Sequence, residues 1–293
     1  MLLAEIPYPR IHPDLLHLGP VTVRWYGVSY ILAFVLAWWV LRGLAKQRRW
    51  PVEPDRVADV LFWGILGVFV GGRLGWVLFY GFPQGSIHGF WQVFKVWEGG
   101  MSFHGGLLGV VIAYAIYIRV TKVPKGPFLD GLALATPLGI FCVRMANFVN
   151  AELPGRVWDG PWAMRFPRYG DAGGVDAWEA KLRAGQTSGL FTELRHPSQL
   201  YEGVAEGLIL FFFLRWLMLR KNVGGGRIAA TFLVGYGLIR FLLEFLREPD
   251  AEMGYVLFGV FTQGQILSAF MIGAGIVTFA VCAAKARKQA VSA

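Results

Sequence analysis

Seven long apolar blocks, separated by shorter polar segments, form the pattern of this 293-residue chain. Within each block the apolar residues run on with few interruptions, instead of recurring at the spacing of a helix that buries one face. About 20 such residues form an α-helix long enough to cross the hydrocarbon core of a membrane. The predicted membrane spans are residues 22–42, 57–80, 102–120, 129–149, 199–219, 228–246 and 258–282.

The basic residues between the blocks predict how the spans are oriented. Short loops that are rich in Lys and Arg stay in the cytoplasm. Basic residues follow every odd-numbered span: Lys46, Arg48, Arg49 and Arg56; Lys122 and Lys125; Arg220, Lys221 and Arg227; and Lys285, Arg287 and Lys288. The other short loops are poor in them, with Arg10, Lys95 and Arg247. We therefore expect the N-terminus outside and the C-terminus in the cytoplasm.

One connection, residues 150–198, is long for a passive loop and is rich in Trp, Gly, Pro and Arg. The alternation of the spans places it outside, where we expect a small extracytoplasmic head over the mouth of the helix bundle. The predicted fold is an all-α polytopic membrane protein with seven transmembrane helices. We expect residues 1–293 to form a single integral-membrane domain, with the head as an insertion.

Composition agrees with a membrane protein and excludes other classes. Hydrophobic residues make up 55% of the chain and charged residues 16%, against about a quarter charged in soluble domains. The net charge of +9 comes from residues that flank the spans, which argues against a nucleic-acid-binding stripe. Cys142 and Cys282 lie in apolar blocks, so two packing residues are favoured over a disulfide or metal site. The first 20 residues have four prolines, Glu5 and no basic n-region, so we expect no cleaved signal peptide.

Polar side chains inside the spans are candidate functional residues, because charged groups at membrane depth are costly. They are Arg73, His104, Arg144, Asn147, Glu202, Glu206, Arg240 and Glu244, with Arg24 and Tyr26 at the start of the first span. In the predicted orientation all of them fall toward the outer side of the membrane, which predicts a shared polar cavity there. A surplus of arginine indicates an anion, and the guanidinium fork suits phosphate. A phosphate in the outer leaflet is most simply a phospholipid headgroup.

Each of these residues also has a structural interpretation. Arg73 could be a structural charge paired with a carboxylate, and we weigh that evenly against a functional role. Glu206 is favoured as structural. Arg240 and Glu244, four residues apart, could form an ion pair, and His104 could be held against backbone at a helix start. The glycines of GGRLG and FHGGLLG are favoured as sites of close helix packing.

Several familiar catalytic motifs are absent from the chain. It contains no HExxH zinc motif, no GxSxG nucleophile elbow and no P-loop. No acidic cluster suggests a divalent metal. We therefore expect neither a metal nor a cofactor, and an enzyme of this kind would act by binding, orienting and stabilising charge.

The segment RMANFVNAELPGR (144–156) resembles the signature of bacterial prolipoprotein diacylglyceryl transferases. The resemblance extends through most of the chain. It includes RWYGVSY (24–30), GGRLGWVLFY (71–80), GGMSFHGG (99–106), RHPSQLYE (195–202) and YGLIRFLLEFLREPD (236–250). Val143 replaces a glycine that many members carry, and the segment 169–190 aligns with nothing.

The resemblance implies a multi-pass enzyme of the bacterial inner membrane with its active site toward the extracytoplasmic side. Its substrates would be phosphatidylglycerol and the lipobox cysteine in the signal peptide of a preprolipoprotein. The other partners would be the surrounding membrane lipids, and no nucleic acid would bind. A thioether would form and glycerol phosphate would leave. The implied catalytic residues are His104 as leading candidate base, Tyr26 as a weaker one, and Arg144 and Arg240 on the phosphate. The implied substrate-binding residues are Arg144, Asn147, Asn150, Glu152, Gly155, Tyr236, Glu244, Arg73 and Glu202.

Two other functions also account for the arginines. A transporter or channel for an anionic lipid or solute would carry polar residues along its whole pathway and often an internal repeat. Here the inner halves of the spans look apolar and no repeat is evident. A chaperone-like or structural subunit would bind lipid without turnover. The motif match favours the transferase over both.

Overall fold

A computed structural model describes residues 6–9, 11–19, 21–83, 85–87, 89–96, 99–248, 254–257 and 259–291. Several positions named above lie outside these described residues: Glu5, Arg10, Pro20, Pro249, Asp250 and the first residue of the predicted span 258–282. The described chain is mostly helical, as the sequence predicts.

A helix lies at each of the seven predicted spans. The helices are α1 (Trp25–Lys46), α2 (Val57–Trp76), α3 (Phe103–Thr121), α4 (Lys125–Val149), α5 (Tyr169–Ala172), α6 (Val175–Arg183), α7 (Ser198–Glu202), α8 (Leu210–Arg220), α9 (Arg227–Leu243) and α10 (Gln263–Val291). A 3-10 turn, Pro54–Arg56, precedes α2, and another covers Phe90–Phe94. A π-helical turn, Val77–Gly81, continues α2, and a second, Gly203–Ile209, joins α7 to α8.

Among the described residues, five helical segments are long and apolar enough to cross a membrane. They are Trp25–Lys46, Pro54–Gly81, Phe103–Thr121, Lys125–Val149 and Gln263–Lys288, at the positions of predicted spans 1 to 4 and 7. The helical run at span 5 contains Glu202, Glu206, Arg215 and Arg220, and α9, at span 6, has only 17 residues. These findings support a helical integral membrane protein, while seven spans and their orientation stay predictions.

Short antiparallel sheets are a feature of the described chain that the all-α prediction missed. β1 (Asp14–Leu18) pairs with β2 (Val21–Arg24), β3 (Met164–Pro167) with β4 (Phe191–Arg195), and β5 (Tyr255–Leu257) with β6 (Phe261–Thr262). Their strands are two to five residues long. Such strands are too short to display the alternation by which a strand is recognised in a sequence.

The described residues fall into two compact units, and each is considered by itself. The smaller unit, Trp38–Phe128, is built on the packing of α2 against α3. A Cβ atom added to Gly71 would lie 2.6 Å from the Cα of Gly109, and one added to Gly67 would lie 2.7 Å from the Gly109 carbonyl oxygen. Because real Cβ atoms do not approach so closely, these helices require glycine. The predicted packing role of the two glycine motifs is confirmed.

The larger unit combines residues 1–37 with 129–293 and holds most of the candidate site. Asp130, which is fully buried, accepts hydrogen bonds from the backbone N–H groups of Gly226 at 2.8 Å and Ala229 at 2.9 Å. This carboxylate therefore caps the first turn of α9 from the neighbouring helix. The cap fixes the start of the helix that carries Arg240.

The end of α4 is fixed from the N-terminal segment. The hydroxyl of Tyr8 donates to the carbonyl oxygens of Phe148, at 2.5 Å, and Val149, at 2.9 Å. Burial raises the pKa of the Tyr8 hydroxyl well above its ordinary value. Tyr8 and Phe148 also pack with Met164 and Phe166 of β3. The head segment is thus anchored beside the helix end that leads into RMANFVNAELPGR.

Candidate active site

A buried ion cluster connects three helical elements of the larger unit. Arg144 of α4 reaches Glu202 at the end of α7, with 2.9 Å between Nε and Oε2. Arg240 of α9 reaches the other oxygen of the same carboxylate, with 2.9 Å between Nη1 and Oε1. The Glu202 side chain is 1% exposed. One carboxylate therefore holds both candidate phosphate-binding arginines.

Three further charges complete the cluster. Arg240 Nη2 lies 2.6 Å from Glu244 Oε2, which confirms the predicted ion pair. Arg247 Nη1 lies 3.7 Å from Glu202 Oε1, and Arg144 Nη2 lies 3.6 Å from Glu206 Oε2. Three arginines thus face three glutamates, so the cluster lacks the arginine surplus that the sequence suggested. The glutamates compensate the cost of burying the guanidinium groups.

Glycines of the π-helical turn allow Glu202 and Glu206 to approach α4. A Cβ atom added to Gly207 would lie 2.7 Å from the Cβ of Phe141, and one added to Gly203 would lie 2.8 Å from the Met145 methyl group. π-helical turns are rare in proteins overall, but those that occur are often found at functional sites. Here the turn follows Glu202 and contains Glu206, the two carboxylates that contact Arg144.

A chain of hydrogen bonds connects the start of α1 with the end of α4. Asn147 Nδ2 donates to the hydroxyl of Tyr26 at 2.7 Å and to Glu152 Oε2 at 3.2 Å. Asn150 Nδ2 donates to Glu152 Oε1 at 3.5 Å. Asn150 Oδ1 is buried with no hydrogen-bond partner in the described part of the chain. Tyr26, Asn147, Asn150 and Glu152 are therefore brought together by these hydrogen bonds.

The turn after α4 is fixed by residues at the start of α7. Gln199, which is fully buried, donates from Nε2 to the Glu152 carbonyl oxygen at 2.5 Å. Ser198 Oγ donates to the Leu153 carbonyl oxygen at 3.0 Å. Ala151 and Leu153 both have a φ of 55°, a conformation that non-glycine residues rarely adopt. These hydrogen bonds offset part of that strain.

Gly155 joins the same turn to the segment after α9. It forms an isolated bridge with Arg247, and its N–H donates to the His196 carbonyl oxygen at 2.9 Å. A Cβ atom there would lie 2.6 Å from the Leu246 carbonyl oxygen. Gly155 therefore acts through close backbone packing and helps to place Arg247.

Glu244 receives a second contact, from the start of α10. Thr262 Oγ1 donates to Glu244 Oε1 at 2.8 Å. Both residues are buried, with exposed fractions of 3% and 5%. Tyr236 lies one turn before Arg240 on the same face of α9 and stacks on Phe232.

Arg73 belongs to the smaller unit, and its guanidinium group serves the backbone there. Nε donates to the Val93 carbonyl oxygen at 2.8 Å, Nη2 to that of Gln92 at 2.5 Å, and Nη1 to those of Gly99 and Gly100 at 2.6 and 3.1 Å. The residue is 6% exposed. All three nitrogens are engaged, so the geometry favours a structural role, with carbonyls in place of the carboxylate that the sequence suggested.

His104 lines a cavity of about 340 Å³ within the smaller unit, together with Trp76, Tyr80, Met101, Ser102 and Phe103. Ser102 caps α3 by accepting the N–H of Gly105 at 3.2 Å. His104 is therefore not the capping residue, and it is exposed. Histidine is the residue that most often acts as a general base, and the edge of a cavity is a position from which it can reach a substrate.

Within the described part of the chain, no group of three or more His, Cys, Asp and Glu side chains is arranged to hold a metal ion. Free cysteines are found at Cys142, which is buried, and Cys282.

Comparisons with known proteins place the chain in a family. A family model described as prolipoprotein diacylglyceryl transferase matches residues 13–281. The phosphatidylglycerol–prolipoprotein diacylglyceryl transferase of Rhodospirillum rubrum is 43% identical over 284 residues, which cover 96% of this chain and 95% of that protein. Proteins of the same name from Rhodospirillum centenum and Chromohalobacter salexigens are 44% and 42% identical, over 94% and 92% of this chain and 92% of each relative.

The chain belongs to the prolipoprotein diacylglyceryl transferase family. Three of the motifs that carry the resemblance lie far apart in the sequence and contribute residues to the one ion cluster. Arg144 lies in RMANFVNAELPGR, Glu202 in RHPSQLYE, and Arg240 and Glu244 in YGLIRFLLEFLREPD.

The site prediction for this transferase-family chain did not include three residues that contact the site. Arg247 was counted only as a loop charge, although it approaches Glu202. Gln199 and Thr262 were not singled out, although both are buried and contact site residues. Arg247 and Gln199 lie in the motifs that carry the resemblance, so the motif signal could have found them. Thr262 lies in no quoted motif, and only the structure shows its contact with Glu244.

Proposed function

We propose that this protein transfers the diacylglyceryl group of phosphatidylglycerol to the lipobox cysteine of a preprolipoprotein. The thiolate sulfur attacks the glycerol carbon that bears the phosphate, and a carbon–sulfur bond forms as the carbon–oxygen bond breaks. The electron pair goes to the departing oxygen, so glycerol phosphate leaves. The observation that carries the proposal is that Arg144 and Arg240, from separate matched motifs, share one buried carboxylate.

Arg144 and Arg240 are assigned as the residues that bind the phosphate group of the lipid. Charge develops on the phosphate oxygens as the bond breaks, and preorganised donors that stabilise such charge are often the largest catalytic contribution. Glu202 orients the two guanidinium groups, and Glu244 orients Arg240. Because the cluster is balanced in charge, a bound phosphate would share the guanidinium donors with these carboxylates.

The hydrogen-bonded residues around Glu152 are assigned as the residues that bind the polar headgroup. Asn147 and Asn150 orient headgroup oxygens, Tyr236 contributes its hydroxyl, and Gly155 holds the turn. The buried Oδ1 of Asn150 is an acceptor that a glycerol hydroxyl would satisfy. Arg73 is left out of the lipid site because backbone carbonyls engage its nitrogens.

His104 is assigned as the base that removes the proton from the thiol, and Tyr26 is the weaker candidate for this role. A cysteine thiol has an ordinary pKa of about 8.5 and reacts as the thiolate, so a base is needed near neutral pH. The hydroxyl of Tyr26 accepts a hydrogen bond from Asn147. We expect the His104→Gln variant to retain phosphatidylglycerol binding and to lose most transfer activity. Near-normal turnover in that variant would contradict the assignment.

The arrangement in the cell follows from the predicted topology. We place the protein in the bacterial inner membrane with seven spans, the N-terminus outside and the C-terminus in the cytoplasm. The segment 150–198 then forms the extracytoplasmic head, and the ion cluster faces the outer leaflet. The partners are phosphatidylglycerol, the lipobox signal peptide and the surrounding lipids.

The test is transfer by the purified protein in detergent. Phosphatidylglycerol is mixed with a lipobox peptide that contains one cysteine, and the peptide mass is measured. We expect a gain equal to one diacylglyceryl group, absent with the Cys→Ser peptide. The Arg144→Gln variant should lose the activity. Arg119→Gln, which removes an exposed arginine at the end of α3, is the matched control and should retain it. Lipid binding without any mass gain would contradict the transferase.

A further inference from the structure

We propose that Thr262 is a positioning residue for the transfer reaction. Its hydroxyl fixes the carboxylate of Glu244, which in turn fixes Arg240 for the lipid phosphate. The inference rests on the proposed function, since it presumes that Arg240 binds that phosphate. Thr262 itself touches neither the lipid nor the peptide in this scheme.

The contacts form a continuous chain through both oxygens of one carboxylate. Thr262 Oγ1 donates to Glu244 Oε1 at 2.8 Å, and Arg240 Nη2 lies 2.6 Å from Glu244 Oε2. A carboxylate that is held at one oxygen alone can still rotate about its terminal torsion angle, because the preference for any one value of that angle is weak. Arg240 contacts Oε2 as an ion pair, and the Thr262 hydroxyl adds the hydrogen bond at Oε1 that limits rotation of the Glu244 carboxylate relative to Arg240.

The direction of the Thr262 hydroxyl proton follows from the start of α10. The N–H of Gln265 donates to Thr262 Oγ1 at 3.2 Å, and the N–H of Thr262 donates to Gln265 Oε1 at 3.1 Å. This reciprocal pair is a capping box. Because the oxygen accepts from the helix, its own proton is available for Glu244. The cap thus uses the acceptor side of the hydroxyl and the ion cluster uses the donor side.

Gly264 shows how closely the helix start approaches the carboxylate. A Cβ atom added there would lie 2.9 Å from Glu244 Oε1 and 3.0 Å from its carboxyl carbon. The side chain of Glu244 therefore lies against the first turn of α10, and Thr262 supplies the hydroxyl donor at this contact. Aligned donors favour a carboxylate near a helix N-terminus.

The chain offers variants that separate positioning from packing. Thr262→Val keeps the shape and removes the hydroxyl, whereas Thr262→Ser keeps the hydroxyl. Ser268→Ala is the matched control: Ser268 is 2% exposed and its hydroxyl donates to the Gly264 carbonyl oxygen at 2.7 Å. This variant removes a buried hydroxyl from α10, the helix that Thr262 caps, and the hydrogen bond of that hydroxyl does not involve Glu244.

We expect Thr262→Val to lower kcat about tenfold and phosphatidylglycerol affinity about threefold, because a hydrogen bond to a charged group is lost. The KM for the lipobox peptide should not change. Thr262→Ser should restore kcat to within about twofold, and Ser268→Ala should leave it unchanged. The measurements are steady-state kinetics with the mass assay and titration of the detergent-solubilised full chain with phosphatidylglycerol.

Two results would overturn the proposal. One is a Thr262→Val variant with wild-type kcat. The other is an equal loss in Thr262→Val, Thr262→Ser and Ser268→Ala, since a packing role would not be rescued by serine. If the wild-type protein transfers nothing, the proposed function fails. The phosphatidylglycerol affinities of the same variants then decide, and unchanged affinity in Thr262→Val rejects the positioning role.

Discussion

At the scale of single residues, Glu202 and Glu206 make different contacts although both are buried. Glu202 approaches three arginines, at 2.9, 2.9 and 3.7 Å, whereas Glu206 has one arginine at 3.6 Å. We expect Glu202→Gln to lower kcat/KM by about 100-fold or more and Glu206→Gln by less than about tenfold, because only the first frees several buried cations. Kinetics on folded protein, checked by gel filtration, measure this. Equal losses would contradict the ranking.

His196 gives a prediction for pH. Its ring stacks on Trp158, with centroids 4.2 Å apart, and burial lowers its pKa from the ordinary value of 6.5. The unfolded chain then binds the proton more readily, so this residue contributes stability near pH 7.5 that is lost as the pH falls through its unfolded and then its folded pKa. Thermal unfolding between about pH 7.5 and pH 5 should show a smaller loss in His196→Gln than in the wild type. An unchanged pH dependence would exclude this contribution.

The charged residues of the site could be predicted from the sequence, but most of their pairings could not. Arg144, Glu202, Arg240 and Glu244 stand out because charges are rare in apolar blocks. The pair of Arg240 and Glu244 follows from helical spacing. The contact of Arg240 with Glu202 joins residues 38 positions apart, and no local pattern specifies it. The balance of three arginines and three glutamates therefore depends on tertiary packing, and the sequence alone predicted a surplus of arginine instead.

At the scale of elements, the α2–α3 interface depends on the absence of side chains. We expect Gly71→Ala to lower the free energy of unfolding by about 1–3 kcal/mol, because its Cβ would overlap backbone atoms of Gly109. The control is Gly43→Ala in α1, where a Cβ meets no atom within 4 Å. It should leave stability equal or slightly higher, since alanine favours the helix. Thermal unfolding in one detergent compares them, and similar effects would contradict the packing argument.

The sequence predicted long elements better than short ones. The first predicted span, 22–42, corresponds to α1 at Trp25–Lys46, because a continuous apolar block signals a helix strongly. The strands β5 and β6 have three and two residues and arise from local pairing before α10. The π-helical turn Gly203–Ile209 has no sequence signature of its own. Both kinds of short element place site residues, so the sequence could give candidates but not geometry.

At the scale of the whole molecule, the predicted orientation of the spans is open to a direct test. Basic loops predict that the segment 150–198 lies outside and the loop after α1 inside. In a Cys142→Ala, Cys282→Ala background, Ala184→Cys and Gln47→Cys each place one thiol at an exposed position. A membrane-impermeant maleimide should label Ala184→Cys in intact spheroplasts and Gln47→Cys only after permeabilisation. The reverse result would invert the topology and put the ion cluster on the cytoplasmic side, where neither an outer-leaflet lipid nor an exported lipobox could reach it.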